Sequence, residues 1–249
     1  MQYESIIVKF WPVAFLLFSG PSVSQTTLNV AAASDLVTLQ PALASSFGKN
    51  DRAVRLRFIT GASGMLAQQI ENSAPYDVFL SANSQFVDHL SSLGKLSPDS
   101  VRVYAIGRVA VLWRDKKHHP LSDLAQNWVR FVALPNPKLA PYGAAAEESI
   151  RHAGFWDQVR PKIVYGENVR QALQLFESGN ADVVITANSL LAGRDPQIIP
   201  DDWHAPIEQK AGIVTGTTHR QTAEQFLEFL TSPEAQAIFG KFGFSSPKP

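Results

Sequence analysis

The 249-residue sequence contains no cysteine, and this absence excludes several kinds of chemistry at once. Disulfide bonds, thiol nucleophiles and cysteine-based metal sites all require that residue. A lipid attached through a cysteine at a leader cleavage site is excluded for the same reason. Any function must therefore depend on groups other than a thiol.

An excess of charge of one sign is also lacking. The sequence has 22 Lys and Arg residues against 22 Asp and Glu residues, which gives a formal net charge of zero. A nucleic-acid-binding protein normally shows a basic patch, and no long run of basic residues occurs here. The charge balance therefore argues against nucleic acid as a partner.

One long apolar run occurs, and it lies near the N-terminus at residues 10–18. Lys9 precedes it, and the small-x-small sequence Ser22-Val23-Ser24 follows it, as at a signal-peptide cleavage site. The run is too short for a membrane-spanning helix, which needs about 20 apolar residues. We predict a signal peptide over residues 1–24 and a secreted, periplasmic protein that is not lipid-anchored. A buried N-terminal strand or helix is the alternative.

Beyond residue 25, apolar segments with the period of strands alternate with segments that have the period of helices. This alternation predicts an α/β fold with two mixed, mostly parallel sheets flanked by helices. We expect two lobes joined by two chain crossings. Lobe I comprises residues 25–104 plus 210–249, and lobe II comprises residues 105–209. The tail helices over residues 221–241 should pack on lobe I with four apolar side chains inward, namely Ala223, Phe226, Leu227 and Leu230.

Four short stretches each follow a predicted strand or loop and precede a predicted helix. They are residues 31–35 (AAASD), 61–64 (GASG), 141–143 (PYG) and 166–170 (GENVR). A helix N-terminus offers unpaired N–H groups and a partial positive charge, and is therefore a ready anion site. Ser34 and Ser63 can also cap their helices and present a hydroxyl to a ligand. Four such openings that converge would bind a small oxyanion without a charged side chain.

A series of motifs resembles one known family. In order along the chain they read AAAS, GASGMLAQQI, APYDVFLSAN, NPKLAPYGAAAEES, AGFWD, GENVRQAL, GNADVVITANS and SPEAQAIFGKFGF. In this order and spacing, from about residue 28 to residue 244, they resemble the periplasmic molybdate-binding proteins of ABC importers, the ModA family. The resemblance implies a two-lobed, type II periplasmic-binding-protein-like fold with a hinge and an inter-lobe cleft. It also implies a monomeric receptor, not an enzyme, that needs no cofactor and delivers molybdate or tungstate to the importer's membrane subunits.

The resemblance also implies a set of ligand-binding residues. Matched position by position, Ser34 and Ser63 would donate hydroxyl hydrogen bonds, and Asp35, Tyr142 and Val169 would donate backbone N–H groups. Molybdate would bind through these groups alone, without a direct metal-ion ligand. For Tyr142 we expect the main chain to be the main contribution.

Two positions depart from the family's pattern. A tyrosine that adds a hydroxyl donor in some members is matched here by Ala187, which lacks a hydroxyl and would be only an extra contact. Thr186 and Asn188 are the candidates to replace that donor. Asp35 sets a carboxylate beside the first donor serine, so its side chain must point away from a dianion or accept hydrogen bonds from a neighbouring loop.

Other interpretations start from the same residues. The nearest is the same fold specific for another tetrahedral oxyanion such as sulfate, because sequence does not give a cavity radius. A more remote one is a secreted hydrolase that uses Ser34 or Ser63 as its nucleophile. It requires His89, His152 or His204 within hydrogen-bond reach of the serine, and no recognisable spacing supports this.

Basic side chains near the motifs have two interpretations. Arg170 lies close to the predicted site and would either neutralise an anion or pair with Glu167 or Glu177 on the surface. His118 and His119 are adjacent and lack a third metal ligand nearby, which is typical of a solvated loop.

Overall fold

The computed structural model describes residues 25–50 and 53–247. The predicted signal peptide, residues 1–24, lies outside the described residues. The strands are β1 (Thr26–Ala33), β2 (Val54–Gly61), β3 (Val78–Ser81), β4 (Arg102–Gly107), β5 (Val109–Trp113), β6 (Val132–Pro135), β7 (Ile163–Gly166), β8 (Val183–Ala187), β9 (Gln197–Ile198) and β10 (Ile207–Ile213). The helices are α1 (Gln40–Asn50), α2 (Ser63–Glu71), α3 (Ser84–Ser92), α4 (Pro141–His152), α5 (Trp156–Val159), α6 (Val169–Glu177), α7 (Arg220–Thr231) and α8 (Pro233–Lys241).

The strands form two five-stranded sheets, one in each lobe. The first has the order β2-β1-β3-β10-β4 and the second the order β7-β6-β8-β5-β9. The prediction of two mixed sheets flanked by helices is confirmed. Parallel pairing accounts for half of the neighbouring strands rather than most of them. The reason is that β10 in the first sheet and β5 in the second each run antiparallel to both neighbours.

The chain passes between the sheets twice. Only Arg108 separates β4 of the first sheet from β5 of the second, and the chain returns between β9 and β10. Residues 105–107 and 207–209 therefore pair within the first sheet, whereas we expected the lobe boundaries at 104/105 and 209/210. Pairing between β4 and β10 continues across both expected boundaries, because each strand offers hydrogen-bond partners to the other that the pattern of one strand alone does not show.

The first sheet is covered on both faces. Leu28, Val30 and Ala32 of β1 join a cluster with α1, α7 and α8, whereas Ala31 packs in a second cluster with α2 and α3. A strand with two buried faces has a continuous apolar sequence rather than an alternating one. As predicted, four tail-helix side chains are fully buried in the first of these clusters, namely Ala223, Phe226, Leu227 and Leu230.

The second lobe has a core of its own. Trp113 of β5 is the largest of its fully buried side chains, and β6, β8, α4 and α6 contribute to the same cluster. Among the described residues, none of the helices is both long enough and apolar enough to cross a membrane.

The register of two parallel strand pairs positions the four predicted stretches. Ala33 at the end of β1 pairs with Gly61 at the end of β2. Pro135 at the end of β6 pairs with Gly166 at the end of β7. Because parallel strands end at the same edge of a sheet, the turns that follow each pair lie side by side, and ligands of open α/β sheets bind at this edge.

Gly143, the third residue of α4, allows the start of this helix to approach β6. A β-carbon at this position would lie 2.8 Å from the Pro135 carbonyl carbon and 2.9 Å from the Pro137 nitrogen. Real β-carbons do not come this close to backbone atoms, so any larger residue must push α4 away from the sheet.

We predict that Gly143→Ala lowers the free energy of unfolding by about 1–3 kcal/mol, the usual cost of overpacking. Urea denaturation of the mature protein measures this change. Gly240→Ala in α8 is the matched control, because a β-carbon there meets no atom within 4 Å. The control should be neutral or gain up to about 1 kcal/mol. Equal stability of the two variants would contradict the close approach described here.

Candidate anion-binding site

The four predicted stretches meet at one small cavity between the lobes. Its volume, taken as the space open to the centre of a water molecule, is about 10 Å³. Sites for drug-sized molecules usually measure about 300–1,000 Å³, so this cavity suits a small compact ligand. The lining residues are Ala33, Ser34, Asp35, Gly61, Ala62, Ser63, Ala82, Ala140, Pro141, Tyr142, Asn168 and Val169.

Of the residues predicted for the site, five line this cavity and one does not. Ser34, Asp35 and Ser63 come from the first lobe, and Tyr142 and Val169 come from the second. All five are at most 4% exposed. Ala187, the expected extra contact, is fully buried at the end of β8 and is not among the lining residues.

The two serines begin their helices but do not cap them. The N-cap residues are Ala33 and Ala62, so the expected caps by Ser34 and Ser63 are wrong. The Ser63 hydroxyl instead accepts a hydrogen bond from the Ala82 N–H at 3.0 Å. This bond orients the oxygen and leaves the hydroxyl hydrogen free to be donated into the cavity.

Ser34 begins a 3₁₀ turn of three residues, Ser34–Leu36, rather than an α-helix. The predicted helix at this point begins only at Gln40. Pro41 explains the difference, because proline lacks an N–H and clashes with the preceding turn, and is therefore tolerated only at the start of a helix. Three α-helices and one 3₁₀ turn, not four α-helices, therefore surround the cavity.

The second lobe contributes two helix N-termini. Tyr142 is the second residue of α4 and Val169 is the first residue of α6. N–H groups in the first turn have no acceptor within their own helix. Asn168, which the site prediction omitted, caps α6 by accepting from the N–H groups of Arg170 and Gln171. An Asn directly before an apolar-periodic helix is an N-cap signal that the sequence does contain.

The Asp35 side chain accepts hydrogen bonds from both lobes. The Tyr142 hydroxyl of α4 and the Gln209 amide of β10 both donate to Asp35 Oδ2, each at 2.8 Å. The Tyr104 hydroxyl donates to Gln209 Oε1 at 3.2 Å and extends the network into β4. Burial raises the pKa of Asp35 to about 6. The hydrogen bonds from Tyr142 and Gln209, and the N–H groups of Asp35 and Leu36, lower this pKa but do not cancel the effect of burial.

Tyr142 contributes more than the main chain that we expected. Its hydroxyl forms a buried inter-lobe hydrogen bond to Asp35. Burial, together with the charge of Asp35, raises the pKa of Tyr142 well above its usual value, so the phenol is a donor at neutral pH. Gly107, at the end of β4, leaves room for the phenol, because a β-carbon there would collide with the Tyr142 ring and hydroxyl.

The two residues considered as replacements for the missing tyrosine donor are occupied elsewhere. The Thr186 hydroxyl donates to the Val169 carbonyl at 3.1 Å, and the Asn188 amide donates to the Gly243 carbonyl at 3.4 Å. Neither residue lines the cavity. The Thr186 bond does hold the first residue of α6 against β8.

The lobes contact each other beside the cavity. The Gly64 N–H donates to the Leu139 carbonyl at 3.2 Å across the cleft. The Ser189 hydroxyl donates to the Asp35 carbonyl at 2.6 Å, and the Thr38 hydroxyl donates to the Ser189 carbonyl at 2.9 Å. These bonds join residues of opposite lobes, so the cleft is closed around the site.

The cavity is lined by neutral donors and one carboxyl group. In the part of the chain that the structure describes, no lysine, arginine or histidine lines it. Arg170, one of the basic candidates, is exposed and is not a lining residue. No histidine among residues 25–50 and 53–247 hydrogen-bonds Ser34 or Ser63, as a serine hydrolase would require. The same residues contain no cluster of three or more His, Cys, Asp or Glu that would hold a metal ion.

Comparison with known proteins agrees with this geometry. A family model described as a bacterial extracellular solute-binding protein matches residues 28–245. The chain therefore belongs to the family of bacterial extracellular solute-binding proteins.

Individual relatives show which kind of solute-binding protein the chain resembles. YvgL of Bacillus subtilis, named provisionally as an ABC transporter substrate-binding lipoprotein, is 33% identical over 94% of this chain and 95% of its own length. The molybdate-binding protein ModA of Rhodobacter capsulatus is 34% identical over 74% of this chain and 75% of its own. The solved periplasmic molybdate-binding protein of Azotobacter vinelandii is 31% identical, covers 89% of this chain and 100% of its own, and superposes with a TM-score of 0.82. Within its class the chain belongs to the ModA family, as the motifs predicted.

The raised pKa of Asp35 predicts how stability depends on pH. The folded-state pKa of about 6 lies above the ordinary 3.8. Between these values the folded protein binds more protons than the unfolded chain, so the free energy of unfolding falls as the pH rises from about 4 to about 6. This difference between the two pKa values corresponds to about 3 kcal/mol of unfolding free energy.

Asp35→Asn cannot titrate, so its stability should not show this fall. We predict that the unfolding free energy of the variant minus that of the unmodified protein increases by about 3 kcal/mol as the pH rises from about 4 to about 7. Urea denaturation of the ligand-free proteins across this range measures the change. The exposed carboxylate variant Asp88→Asn serves as the control and should show no such change. A difference between Asp35→Asn and the unmodified protein that stays constant with pH would contradict the titration of a buried carboxyl.

Proposed function

We propose that the protein captures molybdate, and tungstate of the same shape and charge, in the inter-lobe cavity and delivers it to the membrane subunits of an ABC importer. The observation that carries the proposal is the convergence of hydroxyl and N–H donors from both lobes on a cavity without a basic side chain among the described residues. Relatives that are named for molybdate binding support the choice of ligand.

Neutral donors suit a dianion that must also be released. Burial of a dianion costs a great deal of free energy unless hydrogen bonds replace its water. Each hydrogen bond to a charged acceptor contributes roughly 1.5–3 kcal/mol. Several such bonds, together with the partial positive charge of helix N-termini, offset much of that cost. A fixed array of donors also orients the anion without the strong attraction of a cationic side chain.

Each lobe holds one side of the anion in this proposal. The hydroxyls of Ser34 and Ser63, with the Asp35 N–H, bind from the first lobe. The N–H groups of Tyr142 and Val169 bind from the second lobe. The anion then cross-links the closed form, and hinge opening, the usual motion of such receptors, releases it.

Selectivity follows from size in such a site. Sulfate has the same charge and shape as molybdate but is smaller, so the same donors would reach it less well. A cavity matched to sulfate would reverse this preference. A receptor of the same fold for sulfate is therefore the alternative, and direct competition between the anions decides it.

The proposed receptor acts outside the cytoplasm and performs no chemistry of its own. It works as a monomer in the periplasm, needs no cofactor, and is not anchored by a lipid, a view supported by the absence of cysteine from the sequence. Its protein partner is the importer, which contacts exposed faces of both lobes in the closed form.

Titration of dialysed mature protein with molybdate tests the proposal directly. We expect calorimetric binding of one molybdate per chain and no effective competition by excess sulfate. Because a ligand that binds only the folded state raises the melting temperature, a thermal scan of the same sample should show stabilisation. Equal competition by sulfate would identify the alternative anion, and a lack of binding by either would overturn the proposed function.

Single-serine variants test the assigned donors. Ser34→Ala and Ser63→Ala should each weaken molybdate binding by about 1–3 kcal/mol, because a buried charged acceptor loses a hydrogen-bond partner. Ser92→Ala, at an exposed serine of α3, is the control and should bind as the unmodified protein does. Unchanged affinity in both site variants would remove the assignment while the proposed ligand stands.

A further inference from the structure

Among the described residues, Asp35 carries the only carboxyl group that lines the cavity, and its two oxygens differ. Oδ2 accepts from Tyr142 and Gln209. Oδ1 is buried and has no hydrogen-bond partner among the described residues. The residue is 1% exposed and lines the cavity. The protein thus supplies strong partners to one oxygen and leaves the other without a hydrogen-bond partner, on a residue that lines the cavity.

Among the described residues, no positively charged side chain hydrogen-bonds Asp35 or lines its cavity. The elements packed around it present neutral groups only: the phenols of Tyr142 (α4) and Tyr104 (β4), the amide of Gln209 (β10), the hydroxyls of Ser63 (α2) and Ser189, the backbone of Val169 (α6), and the N–H groups of Asp35 and Leu36. No lysine, arginine or histidine hydrogen-bonds it within residues 25–50 and 53–247.

An ionised Asp35 and a dianion in the same small cavity would repel each other strongly. Two like charges at short range in a buried site disfavour the ionised form of whichever group can take a proton. Burial already raises the pKa of Asp35 to about 6, and an adjacent dianion must raise it further. Molybdate is itself a weak base at neutral pH, so the proton is held by the carboxyl group.

We propose that the Asp35 carboxyl binds the oxyanion in its protonated form, with Oδ1–H as a donor to one of the anion's oxygens, so that each anion captured takes up one proton from solvent. This inference rests on the proposed function. The protonated carboxyl supplies a side-chain hydroxyl donor in addition to those of Ser34 and Ser63. It also returns its proton to solvent when the anion leaves.

Calorimetry in two buffers with different ionisation enthalpies counts the proton. Titration of molybdate into the mature protein near pH 8, in Tris and in HEPES, should show uptake of about one proton per molybdate bound. The affinity of the unmodified protein should be constant below about pH 6 and then fall about tenfold for each pH unit above it.

Asp35→Asn is the decisive variant, because an amide keeps the shape and a hydrogen-bond donor but cannot titrate. We expect it to bind molybdate with no linked proton and with an affinity that does not change between about pH 6 and pH 8. Asp88→Asn, an exposed carboxylate of the same lobe that pairs with Lys210, should keep the proton uptake of the unmodified protein.

The outcomes separate this inference from the proposed function. Molybdate binding by the unmodified protein without proton uptake, and with constant affinity across this pH range, overturns the inference and leaves the function standing. Proton uptake that persists in Asp35→Asn also overturns it, because the proton then resides elsewhere. The absence of molybdate binding overturns both. If Asp35→Asn does not fold, the buffer comparison and pH profile of the unmodified protein still decide.

Discussion

Asp35 and Tyr142 belong to different lobes, and the hydrogen bond between them is buried where the lobes meet. Gln209, on the strand by which the chain returns to the first lobe, donates to the same carboxyl oxygen. A buried carboxyl group is tolerable only when such donors replace its water. The two lobes therefore share the task of satisfying one acidic group, and the cavity can form only where both reach it.

The need for both lobes to contact Asp35 also explains how the other residues of the site are arranged. The serines stand at the ends of two paired strands of the first sheet, and the helix N-termini stand at the ends of two paired strands of the second. Each lobe presents donors from its sheet edge, and only closure brings the two sets to one point. The chain crosses between the lobes beside Gly107, whose lack of a side chain makes room for the Tyr142 phenol. The hinge region and the binding site are thus in direct contact.

Much of the fold could be predicted from the sequence, because the relevant signals are local. Helix α6 carries Val169, Ala172, Leu173 and Phe176 on one face, and all four are buried as their spacing predicts. The apolar period predicts a helix directly after Ser34, whereas α1 begins at Gln40, because Pro41 is tolerated only at the start of a helix. The lobe boundaries shifted by a few residues, since strand pairing is decided by the partner strand and not by the pattern of one strand alone.

The position of the site could be predicted from the sequence, but the hydrogen bonds between its side chains could not. Motifs before helices indicated Ser34, Ser63, Tyr142 and Val169, whereas the partners of Asp35 lie 107 and 174 residues away in sequence. No local pattern shows that the Tyr142 phenol and the Gln209 amide point at one oxygen. Polar contacts of this kind depend on tertiary packing, and only the folded chain reveals them.

The discontinuity of the first lobe has a consequence for synthesis. The second lobe is built from one continuous segment, whereas the core of the first lobe is incomplete until Phe226 and Phe239, near the C-terminus, have been made. Contacts between the two ends of a chain are slow to form because a long loop must close first. During translation, the strands and helices of the second lobe are therefore all present before those of the first lobe are complete. The core of the first lobe is therefore the last to be completed during synthesis, and its apolar strands stay without their C-terminal partners until the end of the chain has been made.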